Sequence, residues 1–482
     1  MLPSSYRRRV GAPFDPQLQM DLISMLPDNI LSTILLLLPI REAIRTSVLS
    51  SRWRDIWKLN PLNIDDSIMK FDNQQNFHDI RLKTLQAINR IASVHPGPIH
   101  SFRISQLREP AFHCEVDKLI ETLSSKGIRE LSLIFGYQGN LRYGLPFPLL
   151  QCQTLCKVSV SDCFFRPSPV VNSSFPNLKE LTLEFVFLWD HLLKCLLESC
   201  AQLEVLQLIN CSGLQYVRLN CAKLQKLTIH ESSPGRGGSG GHPKEMIIEG
   251  APELRSLRLG ERTVLRTRIL VQHVPKLEVL GFFPMNGSMQ IGHTLSNSYN
   301  QHQTSVNGSI RLPTVKKVAL RAGMLISTLL SFGSGFTCSL LSDVLRCFPC
   351  LETLYIKGSI GPTPYIGFWE EQAPFDFFGH HLKSVTFIEF FRSTSDVEFV
   401  NFFVQNGQVL ERITLICLCK PTNKFVRKLH HQWLQNRASV HLEVKFLHMI
   451  DFDPDSCEWA PLFHRPLNEP IPADLKSLLS MA

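Results

Sequence analysis

The residues with the most chemical potential lie in one short run, GRGGSGG, at 235–241. Gly235, Gly237 and Gly240 fit G-x-G-x-x-G, the spacing that wraps a pyrophosphate against a helix N-terminus. Gly237, Ser239 and Gly241 fit G-x-S-x-G, the turn that lifts a serine nucleophile off a strand. Both chemistries need a helix to begin at that point. His242 and Pro243 follow instead, and then EMII, which reads as a strand. The run satisfies two patterns through its composition alone, so it is read as a flexible insertion. Cys347 and Cys350 form C-x-x-C, but no second pair stands at zinc spacing, and both are read as core positions. The pairs His380-His381 and His430-His431 lack a ligand context. No catalytic group, cofactor site or metal site is assigned.

The elements that would have to hold such groups point elsewhere. The chain has 482 residues, enough for more than one domain, and 44% of them are hydrophobic, enough for a large core. A net charge of +8, from 50 basic against 42 acidic residues, is too mild for a committed nucleic-acid binder. The 14 cysteines are scattered through apolar contexts, which fits a reducing compartment, nucleus or cytoplasm. Arg7, Arg8 and Arg9 are not followed by an apolar signal region. The greasy run 30–38 falls short of the ~20 apolar residues that span a bilayer.

That run belongs to a small helical unit. Pro27 and Asp28 suit a first helical turn, and Ile30, Leu31, Ile34, Leu37 and Leu38 follow a helical stripe. Leu35 and Leu36 widen the stripe beyond one face, and Pro39 ends the helix. A second helix begins near Arg41, and a third carries Trp53 and Trp57 four residues apart. Three helices in so short a segment cannot bury this much apolar surface among themselves. Leu26-Pro27-Asp28, Ile30-Leu31, Ile34, Leu37-Leu38-Pro39, Ala43 and the run Ser47 to Arg54 with Trp57 resemble the plant F-box. The resemblance implies docking to a Skp-type adaptor and, through it, to a cullin. It also implies that Leu26, Pro27, Ile30, Leu31, Leu38, Pro39 and Trp53 contact the adaptor or shape that contact, without dividing the two roles.

Beyond the helices a motif L-x-x-L-x-L recurs. It reads Leu178-Leu181-Leu183, Leu203-Leu206-Leu208, Leu224-Leu227-Ile229, Leu254-Leu257-Leu259 and Leu277-Leu280-Phe282. Further copies start at Ile128, Leu155, Val315, Leu351, Leu382 and Leu410. The early spacing of about 21–25 residues is that of leucine-rich repeats. Each copy supplies a strand that cannot bury its face alone, so the copies stack into a parallel sheet on a concave side. The segments 188–199 and 339–348 read as helices of the convex side. Thr182, Gln207, Thr228, Arg258 and Tyr355 are expected to face outward, with Arg258 and Tyr355 as candidate target contacts. From Phe375 the pattern becomes strand, helix, strand, then the basic helix NKFVRKLHHQWLQNRAS and a last strand. This resembles the FBD domain of plant F-box/FBD/LRR-repeat proteins.

The expected fold is α/β: a three-helix F-box, a leucine-rich-repeat solenoid with parallel strands, and an α+β FBD region. The expected divisions are a tail at 1–21, the F-box at 22–60, and a linker with the start of the solenoid at 61–125. The repeats occupy 126–374, with flexible polar insertions at 232–245 and 284–309; the FBD region spans 375–450 and a tail 451–482. The family resemblance implies a non-catalytic substrate receptor of a cullin-RING ubiquitin ligase, with a protein as target and neither nucleic acid nor membrane as partner. A repeat scaffold whose F-box-like helices only cap the solenoid is the alternative.

Overall fold

Two leucines spaced two apart point to the same face of a strand, so a stack of such strands presents continuous apolar rows. The computed structural model describes most residues between Ile23 and Asp451. Residues 1–22, 67–76, 137–142, 166–174, 231–242, 261–266, 284–288, 292–310, 322–335 and 452–482, with a few shorter breaks, lie outside the description. The tails, most of both polar insertions and the glycine run therefore fall outside it.

Nine α-helices are described: α1 (Asp28–Leu37), α2 (Ile40–Thr46), α3 (Ser51–Leu59), α4 (Phe77–Val94), α5 (His113–Ser125), α6 (Asp190–Glu198), α7 (Phe336–Arg346), α8 (Thr394–Asn406) and α9 (Asn423–Asn436). Fourteen strands share one parallel sheet and follow one another in chain order: β1 (Leu62–Asp65), β2 (Ile99–Ile104), β3 (Glu130–Ile134), β5 (Lys157–Ser161), β7 (Glu180–Glu184), β8 (Val205–Ile209), β10 (Lys226–His230), β12 (Ser256–Leu259), β14 (Val279–Phe283), β16 (Lys317–Arg321), β17 (Thr353–Lys357), β18 (Ser384–Phe390), β19 (Arg412–Cys417) and β20 (Glu443–His448). Each parallel step requires a crossover, and the crossovers form an outer layer over one face of the sheet.

Every residue of the leucine triplets is buried, none more than 6 % exposed. Leu131, Val158, Leu181, Leu206, Leu227, Leu257, Leu280, Val318, Leu354, Val385 and Ile413 are successive cross-strand partners. At the strand entrances opposite charges face one another across repeats. Lys157 meets Glu180 at 2.7 Å, Lys179 meets Glu204 at 3.1 Å, and Arg255 meets Glu278 at 2.8 Å. Exposed pairs of this kind each contribute less than about 1 kcal/mol, so they favour the register rather than hold the sheet.

The outer layer holds more than the two expected helices. The segments 188–199 and 339–348 do supply α6 and α7. Between them the crossovers instead carry β9 (Tyr216–Leu219), β11 (Glu245–Ile248), β13 (Arg268–Val271) and β15 (Met289–Ile291), which form a second parallel sheet. Val217, Met246, Ile269 and Met289 are cross-strand partners there. These alternating runs are too short for a helix but long enough for a strand. β15 lies inside the 284–309 stretch expected to be flexible, and β11 begins at the last residue of the 232–245 stretch. β4 (Tyr143–Leu145) and β6 (Cys163–Phe165) make a smaller pair nearer the N-terminus.

One triplet is corrected by register. A bulge follows Leu280, so Leu320 pairs with Phe283 and not with Phe282. Phe282 takes a left-handed backbone conformation (φ 41°) and leaves the main core. With Ala319, Ile388 and Ile416 it forms a separate apolar cluster.

Segment 61–125, read as a linker with the start of the solenoid, is built into the sheet. β1 and β2 pair, and α4 and α5 pack their apolar sides into the same core. Arg81 of α4 is fully buried and donates to the Asp66 carboxylate and the Ser105 carbonyl, while the Ser105 amide donates to Asp66 at 3.0 Å. At the other end, the sheet passes from β17 into β18, β19 and β20 without a break. A capping box of Ser393 and Asp396 starts α8, and Asp396 also accepts from the Ile360 amide at 3.1 Å, tying helix to repeat. Burial raises the Asp396 carboxyl above its ordinary pKa. Trp433 of α9 stacks on Phe446 with ring centroids 6.0 Å apart, which covers the end of the core.

The first three helices join this body through a tight junction. Trp57 packs against both their small core and the solenoid core. Asn60 donates to the Ser32 carbonyl at 2.8 Å, and its own carbonyl accepts from His95 Nε2 at 3.0 Å. The rings of Trp57 and His95 meet edge to face at 4.8 Å. Gly97 permits this approach, because a Cβ there would lie 2.8 Å from the Lys58 carbonyl oxygen.

Two expectations follow from these buried polar groups. Asp66→Ala removes a counter-charge from the buried Arg81 guanidinium and is expected to cost about 3–5 kcal/mol in denaturant unfolding. A loss below 1 kcal/mol would mean that the pair is not desolvated as described. Burial, the largest cause, lowers the His95 pKa below 6.5. The unfolded chain then binds the proton more readily, so stability is complete above pH 6.5 and declines as pH falls towards the folded-state pKa. Denaturant midpoints at neutral and mildly acidic pH should separate more in the parent protein than in His95→Gln, and equal separation would contradict this role.

Candidate functional site

Local rules fold the first three helices into one small unit. Asp28 favours the positive end of α1, and Arg52 reaches back to it at 2.6 Å while donating to the Leu26 carbonyl. Ser50 caps α3 by accepting from the Trp53 amide at 3.3 Å. Leu31, Leu35, Ala43, Trp53 and Ile56 form the buried centre, with Leu26, Ile34, Leu38 and Trp57 packed around it.

The structure divides the residues named from the sequence. Leu31 is 0 % exposed and Trp53 is buried, so they shape the unit from within. Leu26 and Leu38 are half-buried, Pro27 and Ile30 are exposed, and Pro39 lies outside the described residues. Several outward apolar residues were missing from that set. Leu37 is 81 % exposed and Val48 84 %, and Leu36 and Leu49 are exposed with them. Leu37 stands seven residues after Ile30, on the same side of α1. Val48 and Leu49 lie on the turn between α2 and α3. The signal for Leu36 was the widened stripe, and for Val48 and Leu49 it was two consecutive apolar residues in a turn. The geometry therefore combines an interior that holds the helices with a set of large apolar side chains left in water.

The second candidate surface is the sheet face turned away from the main core. Thr182, Gln207, Thr228 and Arg258 are successive cross-strand partners, as the leucine spacing implied. Gly281 continues the row, and the bulge at β14 interrupts it. It resumes with Ala319, Tyr355, Thr386, Thr414 and Lys445. Arg258 and Tyr355 share this face, three strands or about 14 Å apart. Both are half-buried, and Tyr355 packs against the Phe282, Ala319, Ile388 and Ile416 cluster. The second half of the face therefore sets this apolar cluster beside Thr386, Thr414 and Lys445, a mixed surface as expected.

The groups singled out for possible chemistry do not converge. Cys347 is buried, its thiol donates to the Asp343 carbonyl at 3.4 Å, and burial pushes its pKa up to about 11. Cys200, Cys221 and Cys338 are held up to about 11 in the same way, so these thiols stay protonated. Among the described residues no three His, Cys, Asp or Glu side chains are placed to hold a metal ion. No described helix is long and apolar enough to cross a membrane.

Comparison with known proteins agrees with this arrangement. A family model for the LRR repeats of the FBD-associated F-box protein At5g56370 matches residues 116–356, half of the chain. F-box and FBD models match residues 23–65 and 375–415. The chain is 35% identical to F-box/FBD/LRR-repeat protein At1g13570 of Arabidopsis thaliana over 48% of its own length and 52% of that protein's. It is 28% identical to F-box/FBD/LRR-repeat protein At1g78750 over 51% and 54%, and 29% identical to F-box/LRR-repeat protein At3g26922 over 53% and 80%, both from the same organism. The chain spans about half the length of the first two of these relatives. Helical unit, repeat sheet and C-terminal region occur in the order that these models describe, and the chain belongs to the F-box/FBD/LRR-repeat family.

Proposed function

We propose that this protein is a non-catalytic substrate receptor of a cullin-RING ubiquitin ligase. The F-box would dock a Skp-type adaptor, and the repeat and FBD region would hold a target protein. The observation that carries this reading is the exposed apolar set Ile30, Leu36, Leu37, Val48 and Leu49 on a unit whose other face is already anchored to the solenoid. The scaffold alternative makes the F-box a terminal cap. A cap needs a polar outer face, and this one leaves leucines and a valine in water. Rate enhancement in the ligase reading comes from proximity. A receptor that holds its target raises the effective concentration of a target lysine at the conjugating enzyme, and no residue of the receptor takes part in the transfer. The rigid junction at Trp57, Asn60 and His95 suits that task, because it fixes the target surface relative to the adaptor.

Capture of a purified Skp-type adaptor by the full chain tests this. Leu37→Asp with Val48→Asp is expected to reduce capture about 100-fold or more, since two central apolar anchors are each worth about 2 kcal/mol. The unfolding midpoint should stay close to the parent value, because both side chains are already in water. Leu31→Ala should instead lower F-box stability by about 2–5 kcal/mol, as its methyl groups fill the small core. Undiminished capture by the folded double variant would remove this surface as the adaptor site.

A further inference from the structure

The closing helix α9 has Arg437 at its C-cap but crowds its other cations where the helix dipole disfavours them. Acidic residues favour a helix N-terminus and basic ones a C-terminus. In α9 the first turn has no acidic residue and the last turn no basic one, and the whole helix, NKFVRKLHHQWLQN, contains no carboxylate. Its cations, Lys424, Arg427 and Lys428, crowd the N-terminal half and are all exposed. Arg392 adds a fourth beside them, its guanidinium 5.5 Å from the Phe425 ring centroid. At the strand entrances lysine and arginine meet glutamate across neighbouring repeats. Among the described residues, Lys424, Arg427 and Lys428 have no such partner.

The periodicity of the helix sorts its faces. Leu429 and Trp433 point into the core with half-buried Phe425 and Val426 beside them. The opposite stripe consists of Lys424, Arg427, Lys428, His431, Leu434 and Gln435. Leu434 is 40 % exposed at the far end of the cations, and Val440, just past the helix, is 75 % exposed. The stripe is about 16 Å long at 1.5 Å per residue, the length of about five residues of extended peptide.

We propose that the outer face of α9 is a docking site for a short acidic segment of a partner protein, with one apolar side chain seated by Leu434. Charge complementarity selects an anionic occupant. The mixture of clustered cations with an exposed leucine and the short stripe favour a peptide over nucleic acid, which needs a longer basic track and stacking platforms. A membrane would need a broad apolar face, and α9 buries its own. The proposal stands independently of adaptor docking, because α9 closes the opposite end of the sheet from the F-box.

The test uses the full chain and a fluorescently labelled peptide of glutamate and leucine, about twelve residues long, read by anisotropy at low salt. Substituting Lys424→Gln, Arg427→Gln and Lys428→Gln together is expected to weaken binding at least about tenfold. A charge-matched control, Lys83→Gln, Arg90→Gln and Lys118→Gln, lies on α4 and α5 and should bind like the parent. The α9 variant should not melt earlier, since its cations oppose the helix dipole. Equal loss in both variants would reduce the effect to net charge and overturn the site, as would peptide binding that neither variant changes or no binding by the parent. Tighter α9-dependent binding of a single-stranded oligodeoxynucleotide, or of phosphatidylserine vesicles, would overturn the peptide assignment.

Discussion

Everything in this molecule depends on apolar rows that run across strands. A single repeat cannot bury its leucines, because its strand and crossover are too small to cover them. The cover comes from the repeats on either side, so the row from Leu131 through Ile413 is a chain of mutual dependencies. Each fully buried leucine contributes about 1.5–3 kcal/mol relative to exposure, far more than the exposed ion pairs at the strand entrances. The two ends of such a row have only one neighbour. The protein closes them differently: with Arg81, Asp66 and α4 at the start, and with α9 and its Trp433 at the end.

That arrangement places distinct surfaces along one continuous sheet. The F-box leaves leucines and a valine in water on one side and is pinned on the other by Trp57, Asn60 and His95. Gly97 matters because any side chain there would meet the Lys58 backbone, which cannot swing aside. The sheet face between the ends changes character along its length, from polar side chains such as Thr182 and Gln207 to the buried Ala319, Ile388 and Ile416. Different parts of this face therefore present different chemistry to a partner.

The sequence made the repeats legible because leucines at fixed spacing have one physical use, and every triplet residue is buried. The three N-terminal helices were legible for a related reason, through Pro27, Asp28, Pro39 and the apolar stripe. Of the outer strands only β11, the EMII run, was read as one; β9, β13 and β15 were not, because runs such as YVRL and RILV are too short for periodicity to distinguish strand from loop. The start of the solenoid was placed only broadly in 61–125, because β1 and β2 lack the leucine triplet, whereas the copies at Leu382 and Leu410 already pointed to β18 and β19 continuing the stack. The bulge that moves Phe282 off the core face depends on a left-handed backbone that a phenylalanine does not advertise. For the candidate adaptor site, motif spacing singled out Leu31 and Trp53, which build the unit. Leu37 and Val48 needed exposure to reveal them.

The most direct test of the account is hydrogen exchange on the full chain with and without a purified Skp-type adaptor. Protection should appear in α1 and in the turn carrying Val48 and Leu49, extend to the junction near His95, and be absent from α9. No protection in the F-box, or protection confined to the repeat sheet, would contradict the claim that the exposed apolar set of this unit is the docking surface.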